Sequence, residues 1–238
     1  SSPSSGLSPP HFSSAMVSTA ILSSTYFGPV QWYQKLSRYD HIILERNEHF
    51  IKQTYRNRCV IATTQGTQAL TVPVTAAGNK TKTLMRDIAV SGHGHWRHLH
   101  WQALCSAYNE SPFFEYYADD LKDFFEEPST EEGLFDFNLR IVRKMCELLD
   151  ITPDIRLSDD YIRPVETTAG DTPKALTPEG CEADDFREAI RPKHPIDDPS
   201  FMAKPYYQVF RQKNGFLPNL SILDLLFNEG NEAVLWLQ

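Results

Sequence analysis

The sequence predicts an α/β or α+β fold, with a single domain, a mixed β-sheet in the N-terminal half and a helical block after residue 94. Three observations predict this class. Short apolar runs with β-branched residues come first, an amphipathic segment lies between two of them, and apolar residues recur at helical spacing after residue 94. With 238 residues, the chain is long enough to bury a core of its own.

The N-terminal half contains five predicted strands and one predicted helix. Pro29, a residue suited to a first helical position, precedes an amphipathic run, VQWYQKLSRY, that predicts the helix. Five runs predict strands: VSTAILSS, HIILE, TYRNRCVIAT, TQALTVPV and MRDIAV.

The C-terminal half is predicted to be mainly helical. Helical spacing of apolar residues predicts helices at residues 94–109, 112–126 and 132–149. Residues 151–200 are rich in proline and acids with weak periodicity, so we expect an irregular excursion there, with one short helix near ADDFREAI. YYQVF then predicts a strand, and PNLSILDLLFNEG predicts a helix that ends at Gly230.

Composition narrows the domain organisation and the partners. The first 15 residues, SSPSSGLSPPHFSSA, predict a flexible Ser/Pro-rich arm, which leaves residues 16–238 as one domain. The formal charge of −8 argues against nucleic acid as a partner. No run approaches the roughly 20 apolar residues of a membrane span, and the N-terminus lacks signal-peptide features, so we expect a cytoplasmic protein.

Four histidines lie close together in SGHGHWRHLHW, at positions 93, 95, 98 and 100. A metal site on a helix favours two histidines at i and i+4, and no pair here has that spacing, so we expect no metal. On a helix that begins near residue 94, His95 and His98 lie on the polar side, whereas His100 lies within the apolar stripe. Two interpretations of His100 remain open: a hydrogen-bonded core histidine, or a general acid or base that reaches a cleft.

Other patterns give weaker indications. No P-loop, G-x-G-x-x-G or G-x-S-x-G motif is present, so we expect no cofactor. Tyr26 lies where a predicted strand meets the start of a helix, a place where ligands collect in open α/β sheets, and Lys35 lies further along that helix. Arg58, on a predicted strand, could bind an anion through its guanidinium group. The four cysteines are far apart and are expected to be reduced and mostly buried.

Five segments together resemble the WbqC-like protein family. They are YFGPVQWYQKL, YRNRCVI with LTVPV, HWRHLHWQALCSAYNESPFFEYY, FNLRIVRKMCELLDI and GFLPNLSILDLLFNEG. They occur in the family's order between Ile21 and Gly230. The sequence departs from the pattern at Gly28, where the family usually has proline after the aromatic residue.

The resemblance implies a role in bacterial surface-polysaccharide biosynthesis, in which an amino sugar is modified by acyl or aminoacyl transfer. Among the four histidines, His100 is the one at the family's histidine position, which implies that it is the catalytic acid or base. The other matching polar positions imply substrate binding; they are Tyr26, Lys35, Asn57, Arg58, Tyr108, Asn138 and Asn219.

The leading hypothesis is therefore a transferase that acts on an amino sugar, free or nucleotide-linked, in contact with other glycan-pathway enzymes. One alternative is a noncatalytic sugar- or nucleotide-binding accessory protein. Another is a hydrolase that pairs Cys59 or Cys105 with His100. Because Cys105 lies ~140° around the helix from His100, those two cannot meet within it.

Overall fold

The structure is a computed structural model that describes residues 18–128 and 130–238. It has the predicted class: helices combine with a mixed β-sheet in one α/β domain. The arm predicted over residues 1–15 lies outside the described residues.

The main sheet has six strands within the described part of the chain. Numbered along the chain, they lie in the order β7 (Asp154–Leu157), β2 (His41–Glu45), β1 (Thr19–Ser23), β10 (Glu182–Asp185), β9 (Lys174–Leu176) and β8 (Pro164–Val165). The first four run parallel to one another, and β9 and β8 are antiparallel additions at one edge. The carboxyl-terminal ends of β7, β2, β1 and β10 therefore lie next to one another. This boundary of the sheet, which runs across the strands, is called its carboxyl edge.

Two pairs of antiparallel strands are separate from this sheet. The first joins β3 (Arg58–Thr63) to β4 (Gly66–Thr71). The second joins β5 (Val74–Thr75) to β6 (Ala89–Val90).

The helices follow the apolar periodicity of the sequence. Their bounds are α1 (Val30–Arg38), α2 (Trp96–Tyr108), α3 (Phe114–Leu121), α4 (Leu134–Leu149), α5 (Arg211–Asn214) and α6 (Ile222–Glu229). The helices predicted at 94–109, 112–126 and 132–149 correspond to α2, α3 and α4. α2 and α3 are shorter than predicted at both ends, and α4 begins two residues late and ends at Leu149 as predicted. Gly230 ends α6 as predicted, with the positive φ of 60° that glycine adopts readily.

The two faces of the main sheet are covered very differently. On the first face, Leu22 of β1 and Leu44 of β2 are fully buried in the large core that the helices complete. On the second face, Ile21 and Ile43 belong to a cluster of only five buried residues, the others being Ile162, Ala175 and Ala183. Residues 158–162 and 177–181 border a cleft on this second face.

Three sequence predictions for the C-terminal half are wrong. Residues 151–200 contribute β7, β8, β9 and β10, so four of the six strands described above come from outside the N-terminal half. The short helix predicted at ADDFREAI is replaced by β10, which pairs with β1. YYQVF forms no strand, because the side chains of Tyr206 and Gln208 bond to Asp224 of α6 and no neighbouring strand takes up its backbone.

The strand predicted over TYRNRCVIAT starts four residues late, at Arg58. A turn precedes it, in which the backbone N–H of Asn57 bonds to the carbonyl oxygen of Thr54 at 3.5 Å. The turn removes Arg56 from the strand and directs its side chain to the carboxyl edge of the main sheet, where it pairs with Glu48.

Candidate functional site

His100 lies in α2 with 6% of its surface exposed, and both of its ring nitrogens have partners. Nε2 lies 3.1 Å from the carbonyl oxygen of Thr71, and Nδ1 lies 2.8 Å from the hydroxyl of Tyr26. Because a carbonyl oxygen only accepts, Nε2 carries the hydrogen and Nδ1 accepts the hydroxyl hydrogen of Tyr26. Burial lowers the pKa of His100 to about 4, so the ring is neutral at pH 7.

This environment makes His100 a bridge between α2, β4 and the end of β1. The expected burial in the apolar stripe is confirmed, and His95 and His98 are exposed as expected. His100 does not line either of the two cavities of about 300 Å³ described below. Its role as an acid or base stays a prediction.

Thr71 and Val72 bring several of the predicted residues together. Arg58 donates from Nε to the hydroxyl of Thr71 at 3.1 Å. The backbone carbonyl of the same Thr71 accepts from His100. Asn57 donates from Nδ2 to the Val72 carbonyl at 2.9 Å. Asn138, on α4, donates to the carbonyl of Arg56 at 2.8 Å. Together with Tyr26, these side chains form a polar network that ties β1, β3, β4, α2 and α4 to one another.

Lys35 and Asn219 belong to a second network, on α1. The ammonium group of Lys35 lies 2.6 Å from Asp198 and 2.9 Å from the hydroxyl of Ser200. Burial lowers the pKa of Lys35, which the bond to Asp198 partly offsets. Gln31 donates to the same carboxylate at 3.0 Å, and Asn219 accepts from the backbone N–H of Gln31 at 2.9 Å. This network fastens residues 198–200 and 219 to α1.

Tyr108 belongs to neither network. Its hydroxyl donates to Asp224 at 2.8 Å, and Tyr206 and Gln208 donate to the same buried carboxylate. Burial raises the pKa of Asp224, and these hydrogen bonds oppose that rise. The eight predicted residues therefore do not converge on one pocket.

The start of α1 is closed by the chain itself. The N–H of Val30 bonds to the carbonyl of Leu220, and the N–H of Gln31 bonds to Asn219, so neither is free for an anion. The departure from the family pattern at Gly28 has a steric basis here, because a Cβ at this position would collide with the side chain of Thr25. The turn is tight, and Phe27 has a φ of 43°.

A group of buried charges lies at the carboxyl edge of the main sheet. Arg56 and Glu48 form two bonds of 2.9 Å, and Arg56 also donates to the Ser23 hydroxyl at 3.0 Å. Each of these side chains is less than a tenth exposed. Buried ion pairs persist when further hydrogen bonds satisfy their remaining atoms, as Ser23 does here.

A second group of buried charges at the carboxyl edge holds residues 158–162 in place. Arg187 forms two bonds of 2.8 Å with Asp185 and one of 3.1 Å with Glu45. Glu45 also accepts from the hydroxyl of Ser158 and, at 2.7 Å, from the backbone N–H of Ile162. Both of these residues line the cleft described next, so the buried charges position one of its walls.

A cleft of about 300 Å³ lies on the second face of the main sheet, between the strands and residues 158–162 and 177–181. Ile43, Leu157, Ile162 and Pro178 give it apolar surface. Its polar lining is formed by Thr19, His41, Arg156, Ser158, Asp159, Thr177, Glu179, Cys181 and Glu182. The volume is at the lower end of the range for small-molecule sites.

His41 and Asp154 form a hydrogen-bonded pair at the rim of this cleft. They are register partners on β2 and β7, and His41 Nδ1 lies 2.5 Å from a carboxylate oxygen of Asp154. The carboxylate accepts, so Nδ1 carries the hydrogen, and in the tautomer with that one hydrogen Nε2 is an acceptor. Nε2 forms no hydrogen bond with any described residue. A base oriented by a carboxylate, with its second nitrogen free, is an arrangement suited to proton transfer.

The sequence analysis missed this pair and the carboxyl-edge charges. Both His41 and Asp154 are polar residues that begin a short apolar strand, in HIILE and DIRL, and this is a weak local signal. Their pairing depends on the parallel register of β2 and β7, whose partners are 113 residues apart in the chain. No spacing within either segment specifies that register.

No group of three or more His, Cys, Asp or Glu side chains in residues 18–128 and 130–238 is placed to hold a metal ion. In the same part of the chain, no helix is long and apolar enough to cross a membrane. Cys59 is 1% exposed, and burial raises the pKa of its thiol. Cys105 and Cys59 form no hydrogen bond with His100, whose nitrogens are occupied by Tyr26 and Thr71.

Comparison with known proteins agrees with the resemblance in the sequence. The model of the WbqC-like protein family matches residues 24–235. The chain belongs to the WbqC-like family. It is similar to "Uncharacterized protein Rv1507c" from Mycobacterium tuberculosis (strain ATCC 25618 / H37Rv), with 30% identity over 230 residues that cover 92% of this chain and 96% of that protein. No solved structure matches the chain.

Membership of the WbqC-like family confirms the resemblance on which the eight site residues were selected. The name of this relative assigns no activity to it. The family match includes α1, α2 and α4 together with all of the cleft residues except Thr19, so it contains both His100 and His41.

Proposed function

We propose that this protein transfers an acyl or aminoacyl group to an amino sugar of a surface-polysaccharide precursor, and that the sheet cleft binds the sugar. The observation that carries the proposal is the pair of His41 and Asp154, which presents a free ring nitrogen at a cleft of about 300 Å³. The glycan pathway comes from the resemblance to WbqC-like proteins.

The lining of the cleft fits a sugar that carries an amine. Hydroxyl groups of Thr19 and Thr177 and the carboxylates of Glu179 and Glu182 offer hydrogen-bond partners for sugar hydroxyls and for an ammonium group. The apolar surface around Ile43 can pack against the carbon face of the ring. The volume suits one sugar ring, with any nucleotide extending out of the cleft.

His41 would act as the general base. In the transfer, the amine nitrogen forms a bond to the acyl carbon of an activated donor such as a thioester, and the bond from that carbon to the leaving group breaks. Nε2 of His41 takes the proton from the amine and returns it to the leaving group, while Asp154 stabilises the positively charged ring. Arg156, which is exposed and pairs with Asp154 at 3.5 Å, would hold an anionic part of the donor.

In this proposal, His100 positions Tyr26 and the end of β4 and does not transfer protons. The support is its neutral tautomer, which already satisfies two partners within the protein. The hypothesis that His100 is the base predicts instead that His100→Gln loses turnover and His41→Gln keeps it. Comparing the turnover of these two variants therefore separates the two hypotheses.

The test measures turnover of nucleotide-linked amino sugars with a thioester acyl donor. Replacing His41 with glutamine (His41→Gln) is expected to lower turnover about 10²- to 10⁴-fold, because the proton acceptor is lost. Asp154→Asn is expected to lower turnover in the same direction. His98→Gln, an exposed histidine that does not line the cleft, is the matched control and should retain full activity.

Undiminished turnover by His41→Gln would refute the proposed base. Binding of the amino sugar by the wild-type chain without turnover would refute the transfer and favour the accessory-protein alternative. In that case, binding should still depend on the cleft residues Glu179 and Glu182.

A further inference from the structure

A second cavity, of about 310 Å³, lies between the start of α2 and the segment that precedes α4. Its walls include Ser91 and Arg97 on one side and Glu127, Glu131 and Glu132 on the other. It shares no lining residue with the sheet cleft. Neither the family resemblance nor the proposed transfer uses it.

Arg97 is a buried cation at this cavity, with 3% of its surface exposed. Its guanidinium group lies over the rings of Trp96 and Phe137, at 4.6 and 4.9 Å from their centroids. Its one hydrogen bond to a described residue runs from Nη1 to the carbonyl of Phe124, at 2.7 Å. Arginine stays protonated and has five N–H donors, so most of its donors have no partner within the described chain.

A buried cation without a carboxylate partner is costly, and proteins rarely retain one unless it has an anionic partner. No carboxylate of the described residues lies within 4.0 Å of Arg97, whereas the buried Arg56 and Arg187 each have such a partner. Glu132 and Glu127 act on Arg97 from longer range and raise its pKa against the lowering by burial, so they do not use its N–H donors. The difference indicates that these donors are available to an anionic group that enters through the cavity.

The opposite wall limits what that anion can be. Glu132 is neutralised by Arg140 through bonds of 2.7 and 2.9 Å. Glu127 and Glu131 are exposed and form no ion pair within the described residues. With Arg97, they give the cavity one more negative than positive charge. A simple anion would be repelled by this wall, whereas a ligand with both charges would satisfy the two sides.

We propose that this cavity binds a small zwitterion, with its carboxylate on Arg97 and its ammonium group towards Glu127 and Glu131. The volume of about 310 Å³ suits a compact molecule with the charges of a free amino acid. The carboxylate would accept the unused donors of Arg97, in the two-bond geometry that guanidinium and carboxylate groups favour. The site does not depend on the transfer reaction at the sheet cleft.

The test is calorimetric titration of the full chain with glycine and L-alanine at millimolar concentrations. Acetate and methylamine, which carry the two charges separately, are titrated in parallel. We expect the zwitterions to bind at least about tenfold more tightly than either single-charge compound, because only they pair both walls.

The rim variant Glu127→Gln/Glu131→Gln changes exposed residues and leaves the packing of Arg97 intact. It should weaken glycine binding about tenfold and strengthen acetate binding, since the repulsive charges are gone. The matched control, Glu110→Gln/Glu115→Gln, removes two exposed acids that do not line the cavity and should change neither affinity. Arg97→Gln should abolish binding of glycine and of acetate.

Arg97 packs between two rings, so thermal unfolding of Arg97→Gln is measured first, and the rim variant decides the question if that variant does not fold. Absence of glycine and alanine binding to the wild-type chain would overturn the proposal. The proposal would also be overturned if acetate bound as tightly as glycine. The same holds if the rim variant bound glycine with the affinity of the wild-type chain.

Discussion

The two faces of the main sheet are built from the same strands but are stabilised in different ways. On the first face, Leu22 and Leu44 are fully buried against the helices. On the second face, Ile21 and Ile43 lie at the middle of strands β1 and β2, and polar residues lie at both ends of these two strands. A face that the helices leave uncovered provides space for a ligand, and buried charges there replace the apolar packing that fixes the first face.

The largest effect is expected from the charges that fix the second face. Glu45→Ala should lower the free energy of unfolding by about 3 to 5 kcal/mol, because Arg187 loses one carboxylate partner and the N–H of Ile162 loses its acceptor. Glu147→Ala, which removes an exposed ion pair with Lys144, should stay within about 0.5 kcal/mol. Denaturant unfolding monitored by circular dichroism measures both, and equal losses would contradict the structural role of Glu45.

A smaller difference should separate neighbouring apolar residues on opposite faces. Leu44→Ala is expected to cost about 3 to 4 kcal/mol of unfolding free energy, because it leaves a cavity in the large core. Ile43→Ala should cost about 1 to 2 kcal/mol, since its side chain borders the open cleft and the site loses less packing. If the two variants lost the same stability in denaturant titrations, the second face would be as well packed as the first.

The most gradual expected effect is the pH dependence contributed by His100. Its pKa is about 4 in the folded protein, whereas an unfolded histidine takes up its proton near pH 6.5. Between these values the unfolded chain binds more protons, so His100 makes stability fall as the pH drops from about 6.5 to 4, by at most about 1.4 kcal/mol per pH unit.

His100→Gln should remove this contribution, up to about 1.4 kcal/mol per pH unit. His98→Gln, which removes an exposed histidine, is measured beside it as the control. Unfolding free energies measured by denaturant titration across this pH range give both slopes. A slope for His100→Gln equal to that of the wild-type chain would mean that His100 titrates normally in the folded protein.

Local pattern was sufficient to predict the first three elements. β1, α1 and β2 lie where VSTAILSS, VQWYQKLSRY and HIILE predict them. Each of these segments has at least five residues, which is enough for its apolar residues to indicate a strand or a helix. The strands between residues 151 and 200 are two to four residues long, and a run of that length shows no alternation that distinguishes a strand from a loop. Pairing with β1 and β2 is what makes two of them, β10 and β7, strands of the sheet.

The candidate site was predictable to a similar degree. Helical spacing predicts that His100 is buried, and the structure agrees, but spacing does not reveal that Tyr26 and Thr71 occupy its two nitrogens. His41 has no such pattern around it, and its partner Asp154 is brought to it by strand register alone. Arg56 was placed in a predicted strand and instead pairs with Glu48 through a turn that the sequence pattern did not predict.

The central claim is that the functional histidine is His41 on the open second face, and that His100 is a structural bridge in the core. Nitrogen-15 NMR of the imidazole rings during titration with an amino sugar tests it directly, with His41→Gln and His100→Gln used to assign the signals. We predict that the ring signals of His41 shift as the sugar binds, while His100 keeps a hydrogen on Nε2 and does not respond. A response of His100 with no change at His41 would contradict the account.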